Sequence, residues 1–135
     1  MSTNKLIIEQ ISPFNVKATV DKLIEAAKQH GWQNPVNHDL QQSLAKAGKE
    51  VLPVEVVEIC KPEFSGRMLE KNDESIVSVM MPCRISVYEK QDGKTYVALL
   101  NMTEMAAGFP ATVVEAIRAA SDESFEIVQS VIGTT

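Results

Sequence analysis

The sequence predicts an α+β protein, a two-layer sandwich whose antiparallel sheet carries helices on one face. Three observations lead there: a strong amphipathic helix near the start of the chain, a block of strand-like runs in the middle, and a return to helical periodicity in the last third. At 135 residues the chain reads as one domain over 1–135, long enough to bury a single core.

The elements follow in order. "KLIIEQI" (5–11) reads as a first strand. "NVKATVDKLIEAAKQHG" (15–31) is the clearest helix: Asn15 is a suitable cap, Val16, Val20, Leu23, Ile24 and Ala27 share a face, and Gly31 can end it in the left-handed conformation. Residues 33–38 are a loop or short strand before a second short helix, "DLQQSLAKAGK", capped by Asp39. "LPVEVVEIC" (52–60) is rich in β-branched residues and reads as a strand that Pro62 breaks, with one or two helical turns in "EFSGRMLEK". "CRISVYEKQDGKTYVALLN" (83–101) is a hairpin turning at Asp92-Gly93. Two helices close the chain. The first opens at Pro110 with Val113, Val114 and Ile117 as its stripe, and the second starts near Ser121 with Phe125, Val128, Val131 and Ile132 facing inward.

Strand alternation separates Cys83, Ile85 and Val87 from Arg84, Ser86 and Tyr88. The first set is expected under the helices. The second, with Tyr96, forms an amphipathic far face whose Arg and aromatic content suits contact with a second copy, so a homodimer is expected.

Composition narrows the partners. Apolar residues make up 44% and charged residues 23%, as in ordinary soluble domains. The net charge is −5 and the 13 basic residues are scattered among acids, which argues against nucleic acid and against an anionic membrane surface. The first residues lack the apolar stretch of an export signal and no run reaches the length of a membrane span. With only two cysteines, a cytoplasmic, reducing location is expected, where both thiols start free.

The ordered set Thr19, Gly31, Trp32, His38, Pro62, Pro82, Tyr88, Glu89, Asp92, Gly93 and Asn101 resembles the bacterial and archaeal family known as domain of unknown function 302. The resemblance spans roughly residues 5 to 120. It implies a two-layer fold similar to that of the TATA-binding protein, with element order β-α-β(4)-α and frequent dimers, and it implies no reaction. Many members carry Phe-Gly-Asn-Pro where this chain has Ile59-Cys60-Lys61-Pro62, and here Cys83 follows Pro82, so the chain looks like a cysteine-bearing subgroup.

Chemistry centres on Cys60 and Cys83. Each ends a predicted strand beside a proline, and neighbouring strands would bring both sulfurs to one point as a dithiol, a disulfide or two soft metal ligands. The competing account is inert packing, since a free cysteine behaves as a small hydrophobe and Cys83 shares parity with Ile85 and Val87. Their spacing of 23 residues matches no zinc motif. His38 stands at a loop-to-helix junction as a ligand, an acid–base group or a structural bond, while His30 suits a helix C-terminus. Met68, Met80, Met81, Met102 and Met105 read mainly as core, with copper(I) ligation or an adaptable pocket as the alternative. No phosphate loop, nucleophile elbow or zincin motif occurs.

The expected function is a non-catalytic module binding or sensing a small ligand or soft metal, at Cys60, Pro62, Pro82 and Cys83 with His38 nearby, a redox-active thiol pair being one variant. The alternatives are a small cysteine-dependent enzyme with His38 as base, or an interaction protein with buried, inert thiols. The sequence names no cofactor.

Overall fold

In the computed structural model, which describes residues 2–3, 6–70 and 72–133, the chain forms one six-stranded sheet in the order β1-β2-β6-β5-β4-β3. The strands are β1 (Ser2–Thr3), β2 (Ile7–Ser12), β3 (Gln33–Asp39), β4 (Val54–Cys60), β5 (Cys83–Glu89) and β6 (Thr95–Leu100). All neighbouring pairs are antiparallel. The helices are α1 (Val16–Gln29), α2 (Leu40–Lys46), α3 (Pro62–Leu69), α4 (Met102–Met105) and α5 (Ala111–Ile132), and a 3-10 helix spans Asn72–Met80. With β1 and the short helices set aside, β2, α1, β3 to β6 and α5 reproduce the β-α-β(4)-α order.

Local signals explain the boundaries. The Asn15 side chain accepts a hydrogen bond from the Ala18 amide at 2.8 Å and starts α1. At the other end Gly31 takes φ 82°, its amide reaching the Lys28 carbonyl while the Trp32 amide returns to Ala27, and the His30 ring nitrogen Nδ1 lies 2.8 Å from the Ala26 carbonyl oxygen. Asp39 caps α2 through the Gln42 amide at 2.9 Å. Pro62 occupies the first turn of α3, where its missing N–H costs nothing. Residues 33–39 are a full edge strand, and Gly93, at φ 79°, makes the turn of the β5–β6 hairpin.

The two helices expected at the end of the chain are instead one. No glycine or proline interrupts residues 111–132, so nothing breaks the 22-residue α5. Ser121, where the second helix was expected to start, lies inside α5, and so does Ser124. The Ser124 hydroxyl faces inward and donates to the Ala120 carbonyl at 2.7 Å.

The core lies between the sheet and the helix layer. Val57, Ile59, Ile85, Val87 and Val97 meet Val20 and Leu23 of α1 and Val113, Ile117, Ile127 and Val128 of α5, all buried. The burial of these strand residues confirms the predicted parity. Buried polar groups are paired. Thr19, fully buried, joins its hydroxyl to the Asn15 carbonyl at 2.8 Å and to the Ser12 hydroxyl at 2.7 Å. Glu123 of α5 accepts from the Trp32 indole at 2.9 Å and from Lys61 Nζ at 2.6 Å, tying the turns before β3 and α3 to the last helix. No described helix is long and apolar enough to cross a membrane.

Replacing Ile117 by Ala should cost about 2–5 kcal/mol of unfolding free energy, because nothing can collapse into the space between α5 and the sheet. Asn15→Ala removes only a cap and should cost about 1 kcal/mol. Urea unfolding of both variants measures the contrast, and equal losses would contradict this account of the core.

Candidate functional site

Where β5 begins and β6 ends, the helix layer runs out and leaves a cavity of about 190 Å³. Val79 and Met80 of the 3-10 helix form one wall, and Met102 and Met105 of α4 form another. The sheet supplies Pro82, Cys83, Arg84 and Leu99, and α5 contributes Ser124. Met80 sits one helical turn from the buried Val77, whereas Ile76 and Val79, eclipsed by the three-residue period, stay 71% and 80% exposed at the rim. The Met81–Pro82 peptide is cis.

Two of the five sequence-predicted site residues, Pro82 and Cys83, line this cavity. Cys60 and Pro62 do not, and His38 lies elsewhere. Both cysteines are free. Cys83 stands opposite Ile59 in the β4–β5 ladder, so the residue facing it is not Cys60. Each sulfur has its own serine: Cys60 Sγ is 3.7 Å from Ser65 Oγ, and Ser124 lies beside Cys83 on the cavity wall. Burial pushes the Cys83 thiol above its ordinary pKa; the Ser124 bond offsets part of this and the Cys60 charge adds to it. A thiol so placed stays protonated at neutral pH.

His38 belongs to the open face of the sheet. Its Nε2 is 2.6 Å from Glu58 Oε1, and the second oxygen of Glu58 accepts from Arg84 Nε at 2.9 Å. The ladders explain the meeting: His38 is opposite Val56 and Arg84 is opposite Glu58, so three strands bring these groups to one spot. At the other end of the same face Tyr88 donates to Glu9, which also pairs with Lys90 at 3.1 Å. Tyr88 stacks on Tyr96 with ring centres 6.1 Å apart. The hydrogen bonds from His38 and Arg84 hold the Glu58 carboxyl below its usual range, and those from Tyr88 and Lys90 do the same for Glu9. Burial and the bond to Glu9 raise the Tyr88 phenol well above its ordinary value.

Between these networks lies an apolar trough of about 270 Å³ lined by Val56, Ser86, Ala98 and Leu100. Arg84, Leu99 and Leu100 border both the trough and the cavity. Among the described residues no three side chains of His, Cys, Asp or Glu are grouped to hold a metal.

Sequence reasoning missed Glu58 and Ser124. Glu58 was available from cross-strand pairing with Arg84 once β4 and β5 are set side by side. Ser124 has no local signal, because a serine inside a helix that bonds the preceding turn looks like any other.

A family model described as Domain of unknown function DUF302 matches residues 8–131, and the chain belongs to that family. It is a small α+β protein of that family, without an assigned reaction. A solved structure of an uncharacterized conserved DUF302 protein from Bacillus stearothermophilus is similar in fold, with a TM-score of 0.82 at 20% identity, covering 93% of this chain and 97% of that one. No curated protein matches the sequence.

The lowered carboxyls make stability depend on acid. A carboxyl with a folded pKa below its unfolded value, near 4.3, contributes stability above that value and loses it as pH falls through the folded pKa. Glu58→Gln should therefore flatten the acid limb of stability, measured by urea unfolding from about pH 7 to about pH 3. An acid limb identical to that of the unchanged protein would remove Glu58 from this role.

Proposed function

We propose that the protein is a non-catalytic binding module whose ligand occupies the cavity beside Pro82 and Cys83, in a cytoplasmic, reducing setting. The single observation that carries this is the cavity itself: about 190 Å³, walled mainly by apolar side chains, with Ser124 and the Cys83 thiol as its polar features and Arg84 at its edge. That volume suits a benzene-sized apolar molecule or a single ion rather than an extended substrate. Binding ranks above catalysis for two reasons. The Cys83 thiol is pushed up by burial rather than activated, and His38, the base a cysteine nucleophile would need, lies on the open face with Glu58 and does not line the cavity. Cys83 serves here as a pocket wall, without Cys60 as a redox partner.

Alkylation of Cys83 by iodoacetamide in a Cys60→Ser variant tests the pocket. The native thiol should react at least ten-fold more slowly than the denatured one, and saturating benzene should slow it further. Native reaction at the denatured rate, with no effect of benzene, would refute an enclosed binding site. A fast reaction that slows on replacing His38 by Gln would favour the enzyme instead.

A second copy of the chain is the partner that best fits the open face. Its charged groups pair among themselves, Glu58 with Arg84 and Glu9 with Lys90, on a protein whose net charge is −5. Two such faces can meet without the like-charge repulsion that the rest of the surface imposes, and the trough over Ser86 and Ala98 gives each a concave apolar centre. Sedimentation at micromolar concentration should give a dimer, and Ala98→Arg should return it to 14.9 kDa. A 14.9 kDa species for the unchanged chain would exclude this assembly.

A further inference from the structure

Sulfur is concentrated at the cavity to a degree that packing alone does not call for. Met80, Cys83, Met102 and Met105 come from the 3-10 helix, β5 and α4, and all four border one space of about 190 Å³. Among the described residues no carboxylate and no imidazole lines it, and the donors it does present are not those of hard cations or of the usual zinc sites. Thiolate and thioether donors are the soft set that selects a monovalent copper ion.

We propose that the cavity is a Cu(I) site in which the Cys83 thiolate is the anionic ligand and the thioethers of Met80, Met102 and Met105 supply the remaining donors.

Charge decides in favour of a monovalent ion. One thiolate and one Cu(I) sum to zero, so the loaded site holds no net charge within its apolar walls, whereas a divalent ion would leave one positive charge there uncompensated. Arg84 does not supply an unbalanced charge, because its guanidinium is bonded to Glu58 on the open face. Loading breaks the Cys83 S–H bond, forms a Cu–S bond and releases the proton to solvent, with copper remaining Cu(I) throughout. Methionine, unbranched and polarizable, lets the three thioethers close on an ion without moving the strands.

The proposal rests on the cavity being the binding site, and the experiment separates the two ideas. The full-length Cys60→Ser chain, kept anaerobic, is titrated with the coloured Cu(I) complex of bicinchoninate, and loss of colour reports transfer to the protein. One equivalent per chain is expected. Adding Met102→Leu and Met105→Leu together, volume-conserving changes that should leave urea unfolding nearly unchanged, should weaken binding by at least ten-fold. Cys83→Ser should abolish transfer. Affinity unaffected by the two leucines, or transfer lost with Cys60→Ser alone, would overturn the site. A Cys60→Ser chain that takes no Cu(I), yet whose Cys83 is still protected by benzene, would sink the copper proposal and leave the ligand pocket standing. Neither copper nor benzene binding would end both.

Discussion

A single layer of helices can bury only one face of a sheet, and most of this molecule follows from that limit. Along β4 the alternation is complete: Glu55, Val57 and Ile59 are buried while Val54, Val56, Glu58 and Cys60 are not. The inner face is closed by α1 and α5 into an apolar core. The outer face has no second layer and has to settle its own charges, which it does with cross-strand networks centred on Glu58 and Glu9. The cavity is the third result of the same limit. It lies where β5 begins and β6 ends, walled by a four-residue helix and a 3-10 segment.

Signals confined to a few neighbouring residues were legible in the sequence. Asn15 and Asp39 cap the helices they precede, Gly31 ends α1, Asp92-Gly93 turns the hairpin, and parity assigns Ile85 and Val87 to the core. The split expected at Ser121 failed because a serine and an aspartate look like a cap wherever they occur, while a long helix packed along its whole buried stripe gains more by continuing. The site was half legible. Pro82 and Cys83 are where chemistry was expected, but the rest of the cavity arrives from segments far apart in the chain, and only tertiary packing brings Met102, Met105 and Ser124 to them. His38 was expected near the cysteines, yet it meets Glu58 on the open face, and that partner depends on which strand lies beside β3, a fact of sheet order.

The likeness to the Bacillus stearothermophilus structure separates fold from chemistry. At 20% identity the two chains keep the same architecture over nearly their whole lengths. A fold shared so widely on so few identities says little about what a site binds, since side chains at one end of a sheet can change while the layers persist. Whatever this chain binds must therefore be argued from Cys83 and its own neighbours.

The pairing of β2 with β6 has a kinetic side. Ile7 lies opposite Leu100, so the second strand made finds its ladder only after most of the chain exists. At ribosomal rates of about 5–20 residues per second, β2 waits on the order of 10 s for that partner. The covering helix α5 emerges later still, and until it does the inner sides of β5 and β6 are only partly covered. Closing the β2–β6 ladder must then be a late event that joins residues far apart in the chain after most of it has been made.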